Sequence, residues 1–318
     1  MIKSFKSRSL RVELCGKYAN HFEGQVSGLH YIHRLFCYDV TCPTCGKVGG
    51  HIHKRRKELF IDKVKKHYGC LEGLGLRKFV FTLPSEVRAD LLDRGELNLF
   101  MRIVEKVVKP FYSGRLIGFS FHLFGDKDAD YKPHINVYVV ERLNVAGGCK
   151  MKIDKWVLAT IKKKYLAALL KKGFMIDDVV LHYGFTLKMP QFFHGVKYFT
   201  RPCPCYDLLM QLSETNPSLY AFLLSEEMKG FQFIRWGRCK VDADQFQDGE
   251  GVPHQIMEKL DYLGREKFEW ERFIDEWRVY ERVEIRDGVY ACRAGGLSPA
   301  DKAYLKSLGL LDDLRVHN

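Results

Sequence analysis

IGFSFHLFGDKDADYKPHINVYVVE, residues 117–141, reads as two strands around a polar turn. IGFSFHLFG (117–125) and HINVYVVE (134–141) are aromatic and β-branched, and GDKDADYKP (125–133) is rich in turn formers. A turn this short makes the strands antiparallel neighbours. Upstream, RKFVFTL (77–83) has the same character. Pro84-Ser85-Glu86 then opens a helical pattern, with Ser85 as N-cap and Pro110 as its close. Downstream, KIDKWVLATIKKKYLAALLKKG (152–173) has helical apolar spacing, with Asp154 as cap and Gly173 as stop. DDVVLHYGFTL (177–187) is a fourth strand, and MPQFFHGVKYFTRP (189–202) is a short helix ending before Pro202. The order β-α-β-β-α-β-α predicts an α+β fold, a ferredoxin-like antiparallel sheet with its helices on one face.

Around this palm the chain divides into three expected regions. Residues 1–72 hold most of the Cys/His clustering and form an N-terminal zinc-binding module. Residues 73–240 are the palm. Residues 241–318 begin with a linker-like stretch, DADQFQDGEGVP (242–253), and continue with a helical pattern, IMEKLDYLGREKFEWERFIDEW (256–277). A small, mostly helical, winged-helix-like C-terminal region or a structural extension is expected there. Of the 318 residues, 46% are hydrophobic, which excludes a mostly disordered chain. Lys and Arg number 51 against 39 Asp and Glu, a net charge of +12. Such a surplus favours a polyanionic partner, nucleic acid above all. No apolar run reaches the ~18–20 residues of a spanning helix, and MIKSFKSRSLRVELCGKYAN has no signal-like apolar core. The protein is therefore expected in the cytoplasm, with no membrane partner.

Three groups of residues carry chemistry. Alternate residues of a strand share a face, so His134, Asn136 and Tyr138 point one way. An imidazole and an amide oxygen two residues apart can chelate one Mg²⁺ or Mn²⁺, and His122 on the neighbouring strand is a candidate third ligand. On the last helix, His194, Tyr198 and Arg201 lie at i, i+4 and i+7 and share a face. A tyrosine hydroxyl can attack phosphorus and form a phosphotyrosine ester. Its reference pKa of about 10 calls for a cation beside it, and Lys197 and Arg201 flank it in sequence. Tyr165, on the connecting helix, is expected behind the sheet and away from this face. In the third group, Cys37, Cys42 and Cys45 have the spacing C-x4-C-x2-C, and the CPTCG knuckle is a zinc signal. Cys15, then His33, then His30 are the candidates for the fourth ligand. The run HIHKRRK (51–57) offers Lys54, Arg55, Arg56 and Lys57 to DNA phosphates.

Together these stretches resemble the rolling-circle transposases and replication initiators of the HUH superfamily. FCYDVTCPTCG (36–46) is similar to that family's N-terminal zinc motif, and FVFTLPSEVR (79–88) to its first core strand and Thr-Leu-Pro exit. SFHLFGDKDADYKPHINVYV (120–139) resembles its His-containing strand pair, and VKYFTRP (196–202) its tyrosine helix. KGFQFIRWG (229–237) is a weaker fifth match. Asn136 stands where the family has its second motif His, and Pro202 where two-tyrosine members have their second Tyr. The resemblance implies a single-tyrosine, metal-dependent endonuclease and strand transferase acting on single-stranded DNA, with Tyr198 keeping the 5′-phosphate. It implies a catalytic Mg²⁺ or Mn²⁺, a structural Zn²⁺, and host replication proteins as further partners. The rival expectations are a zinc-containing DNA-binding protein that has lost catalysis, and an RNA-binding protein on the same sheet.

Overall fold

The computed structural model describes residues 8–88, 91–125, 130–143, 153–237, 260–267, 282–286, 289–293 and 297–308. The chain forms an α+β fold with two antiparallel sheets, distributed over two compact units, one of residues 47–242 and one of residues 1–46 with 243–318. The three successive regions expected from sequence therefore become two. A helix, α2 (His51–Tyr68), belongs with the palm, and both ends of the chain build the other unit.

The 47–242 unit carries a sheet of β3 (Leu74–Thr82), β4 (Leu116–Phe124), β5 (Tyr131–Arg142), β6 (Val180–Thr186) and β7 (Ile234–Trp236), in the order β6-β3-β5-β4-β7. β5 is the central strand and pairs with both β3 and β4. The expected strands are all present. The first long helix differs: α3 (Arg94–Val108) starts after Asp93, whose carboxylate accepts from the Glu96 N–H, while Ser85 opens only a short 3-10 turn. Asp93 takes the capping role because its side chain reaches the orphan N–H three residues on.

The two sheet faces differ in what covers them. Phe79, Phe81, Phe119 and Phe121 face α3 and α4 (Lys155–Leu170), where Phe100 and Tyr165 meet them edge to face. Tyr165 lies fully buried there, its hydroxyl on the Thr82 carbonyl, as expected for a residue behind the sheet. The opposite face takes α2 and α5 (Met189–Phe199), through Phe60, Val64 and Tyr68 on α2 and Phe192, Val196 and Phe199 on α5. Helices thus cover both faces, not one. The reason is compositional: Leu74, Leu76, Leu116, Tyr138 and Val140 make this second face apolar at one end, and it must be buried too. α5 lies so close to the sheet that a Cβ on Gly118 would stand 2.6 Å from the Phe199 ring.

The other unit is a sheet of β1 (Tyr18–Gly24), β2 (His30–Arg34), β8 (Leu260–Lys267), β9 (Arg282–Arg286) and β10 (Val289–Cys292), ordered β8-β1-β2-β10-β9. Its core holds Phe22, Leu29, Tyr31, Ile285, Val289 and Ala291, with Leu297 and Leu305 from the segment around α8 (Pro299–Ser307). Over its described residues the mostly helical C-terminal region is thereby corrected: Leu260–Lys267 is a strand, because its backbone completes the β1 edge. The remainder of the expected helix, 268–277, and the linker 242–253 lie outside the described residues. Among the described residues, no helix is long and apolar enough to cross a membrane.

Candidate functional site

β5 and β4 bring the predicted metal residues together. His134 pairs with Thr82 on one side and His122 on the other, and Asn136 with Val80 and Ser120. The rings of His122 and His134 are 5.3 Å apart, and the rings of His122 and Tyr198 5.2 Å apart. The phenol at 198 and the imidazole at 134 are therefore both neighbours of one buried histidine, on the sheet face that α5 covers.

Hydrogen bonds fix each ring's proton. His134 Nδ1 lies 2.8 Å from the Lys132 carbonyl, which can only accept. Nδ1 therefore carries the hydrogen, and the carbonyl orients the ring as such a partner does behind a metal-bound imidazole. Ser120 Oγ donates to the Phe199 carbonyl at 2.8 Å and so accepts from His122 Nε2 at 3.1 Å. The His122 Nδ1 lone pair then faces the Arg201 guanidinium at 3.5 Å. Burial above all, with His134, Arg201 and Lys78 as neighbours that add to it, holds His122 well below the ordinary histidine pKa, so it is neutral.

Asn136 is the anomaly of the site. It is completely buried, and among the described residues neither its amide nitrogen nor its amide oxygen has a hydrogen-bond partner. An unpaired buried amide costs about 1–3 kcal/mol. A divalent cation beside the amide oxygen would offset part of that cost, and the donor set of imidazole nitrogen and amide oxygen suits Mg²⁺ or Mn²⁺.

Two cations flank Tyr198. Arg201, as expected, has its guanidinium 4.8 Å from the ring centre, and the Lys78 ammonium stands 4.1 Å from it. Lys197 does not take this place. Its side chain is exposed, and what it gives to the site is its carbonyl, which accepts from His53 Nε2 at 2.7 Å. His53 in turn accepts from the Gly49 N–H at Nδ1, at 2.9 Å. From the same helix, Arg56 donates to the Arg201 carbonyl at 3.4 Å. Of the basic run, Lys54, Arg55 and Lys57 are exposed, whereas Arg56 is half-buried and braces the end of the tyrosine helix. Sequence reading missed Lys78, Ser120 and His53. For the first two, strand parity carried a signal, since Lys78 and Ser120 fall on the Tyr138 face. For His53 no local pattern did.

In the other unit, the sulfurs of Cys15, Cys37, Cys42 and Cys45 lie within 4.8 Å of one another, a group that could hold a metal ion such as zinc. Cys15 to Cys45 is 3.3 Å and Cys37 to Cys45 is 3.7 Å, near the ~3.8 Å that tetrahedral 2.3 Å Zn–S bonds imply. The Asp39 and Cys45 amides point at the Cys37 and Cys42 sulfurs, each at 3.5 Å. Gly46 is required here, because a Cβ would collide with the Val40 backbone. Four thiols this close share their protons unequally: hydrogen bonds from the other cysteines lower the pKa of Cys42 and Cys15 and raise that of Cys37 and Cys45. Cys15 takes the fourth place over His33 and His30. Cys203, by contrast, is buried behind the site, accepting from the Leu123 N–H at 3.2 Å, and burial pushes its thiol up to about 11.

No protein-family model, curated protein or solved structure matches this chain.

Proposed function

We propose that the 47–242 unit is a metal-dependent, single-tyrosine nicking and joining domain for single-stranded DNA, on an HUH-type palm of the ferredoxin and RRM kind. The observation that carries this reading is the series of rings His134–His122–Tyr198, with Lys78 and Arg201 beside the phenol. Mg²⁺ or Mn²⁺ at His134 and Asn136, with His122 behind them, would polarise the scissile phosphate. Tyr198 Oη attacks phosphorus as its phenolic proton leaves. The bond from phosphorus to the 3′-oxygen breaks, that oxygen gains a proton, and the 5′-phosphate remains on the tyrosine. Lys78 and Arg201 put positive charge where negative charge gathers on the phosphate oxygens. A free 3′-OH reverses the step and joins strands, which serves rolling-circle replication or transposition alike. A Zn²⁺ on the four cysteines would have a structural role, ordering the segments that bear them.

The second reading, a DNA-binding protein without catalysis, is favoured by one observation, the amide at 136 where a second imidazole would bind metal better. The test is mass spectrometry after incubating the full chain with Mn²⁺ and a pool of single-stranded oligonucleotides. The expected result is an oligonucleotide covalently attached to the peptide containing Tyr198, absent from Tyr198→Phe. Cleavage that survives Tyr198→Phe would remove the proposed nucleophile, and binding without any adduct would favour the second reading.

A further inference from the structure

A cleft of about 550 Å³ opens beside the start of β5, between the loop after β3 and α7 (Pro217–Leu224). Its walls include Leu92, Tyr131, Leu219 and Phe222, and three charged groups, Arg88, Lys132 and the Asp130 carboxylate, also line it. The volume is in the range of small-molecule sites, and apolar and aromatic walls with a few charged groups are their usual lining. Lys132 belongs to both places. Its side chain lines the cleft, and its carbonyl fixes the His134 ring. Whatever occupies the cleft therefore lies two residues along the chain from the candidate metal ligand.

We infer that this cleft takes one nucleotide of the DNA strand, with its base against Tyr131 and Phe222 and its phosphate toward Arg88 and Lys132. The inference rests on the nicking reading and deepens it by naming where a nucleotide next to the scissile phosphate is held. A flat aromatic body carrying one phosphodiester charge uses both the aromatic wall and the cations Arg88 and Lys132, which a purely apolar ligand would not. A purely inorganic anion would leave the aromatic wall unused. The Lys132 ammonium is presently held by the Asp130 carboxylate at 2.9 Å, in an exposed ion pair that a phosphate can replace at little cost. Arg88 is steadied from behind, its Nε donating to the Leu83 carbonyl at 3.1 Å.

The experiment titrates the full chain with deoxynucleoside 5′-monophosphates, and in parallel with inorganic phosphate, by calorimetry. It uses wild type, Phe222→Ala, Lys132→Ala and the cleft-filling Ser218→Trp. Ser218 is exposed on α7 and lines the cleft, so tryptophan there blocks the space without opening the core. Base–aromatic stacking of the usual strength predicts a loss of about tenfold in affinity in Phe222→Ala and Ser218→Trp. Lys132→Ala weakens the mononucleotides by a smaller factor, and phosphate alone binds at least about tenfold more weakly than any of them. A second arm uses single-stranded DNA with one abasic position moved along the strand. One position should weaken binding to wild type and leave Ser218→Trp unaffected. Mononucleotides that do not bind, or that bind Ser218→Trp and wild type equally, overturn the inference. Covalent adduct formation at Tyr198 is read separately, so a cleft that binds nucleotides in a chain that never forms an adduct refutes the nicking reading and leaves the cleft standing.

Discussion

Asn136→Val should make the metal-free protein more stable and the metal-loaded protein no better. The wild-type amide is fully buried on the central strand, between Val80 and Ser120, with both polar atoms unpaired among the described residues. Each orphaned polar group costs about 1–3 kcal/mol, so removing the amide returns about 2 kcal/mol after some repacking strain. Valine is close in size and well suited to a strand. In a unit of about 200 residues, that corresponds to a rise in Tm of roughly 4–8 °C. Cation binding reverses the ranking. If Asn136 contributes to a Mn²⁺ site, Mn²⁺ at a hundred times its Kd stabilises wild type by about 2.7 kcal/mol and the variant far less. Differential scanning calorimetry of both proteins, with and without Mn²⁺, measures the two effects independently. A variant that melts lower than wild type without metal would show that the amide is satisfied in solution. One that gains as much from Mn²⁺ as wild type would take Asn136 out of the metal site.

Other perturbations test the supports around the tyrosine. Gly118→Ala puts a methyl group against the Phe199 ring, so it should cost about 1–3 kcal/mol and lower the yield of the Tyr198 adduct; unchanged melting and unchanged yield would show that α5 does not lie flat on β4. Cys15→Ala should abolish stoichiometric zinc, read by metal analysis of the purified chain, whereas one tightly held zinc per chain would return the fourth place to His33 or His30. His53 is depressed below the ordinary histidine pKa by burial first, with Lys57, Lys197 and Arg56 adding to it against the opposing Lys197 carbonyl. The neutral ring accepting from Gly49 is thus the folded form, and its stabilisation is complete above about pH 6.5. It falls by up to about 1.4 kcal/mol per pH unit as acid approaches the folded-state pKa. His53→Gln, which keeps a donor for the Lys197 carbonyl, should flatten that part of a denaturation-versus-pH curve; an unchanged slope would place the titration elsewhere.

The antiparallel sheet of the 47–242 unit was readable because its strands are strongly aromatic and the neighbouring helices end near Pro110, Gly173 and Pro202, so local chemistry and tertiary pairing agree. The cysteine cluster was readable for a similar reason, its C-x4-C-x2-C spacing being local and Cys15 the nearest further thiol in sequence. What was lost is what only distance in sequence creates. α2 has four widely spaced buried anchors, Ile52, Phe60, Val64 and Tyr68, amid a dense run of charge, and reads as a basic loop until the sheet supplies its partner. LDYLGREK (260–267) has enough apolar spacing to read as helix, and becomes a strand because β1 presents an open edge. Lys197 adjoins Tyr198 in sequence, but a helix turns neighbours away from one another, and the sheet places Lys78 beside the ring instead.

The cysteine-bearing sheet is stitched from strands more than 200 residues apart, with Tyr18 opposite Lys267 and His33 opposite Val289. On a ribosome the thiol-rich segment emerges before its partner strands, so β1 and β2 must wait, edges bare, while the 47–242 unit is made and folded. A zinc ion captured early would hold that segment compact during the wait. A stop codon anywhere before residue 260 would do more than shorten the protein, since it would strand the half-built sheet with nothing to close it.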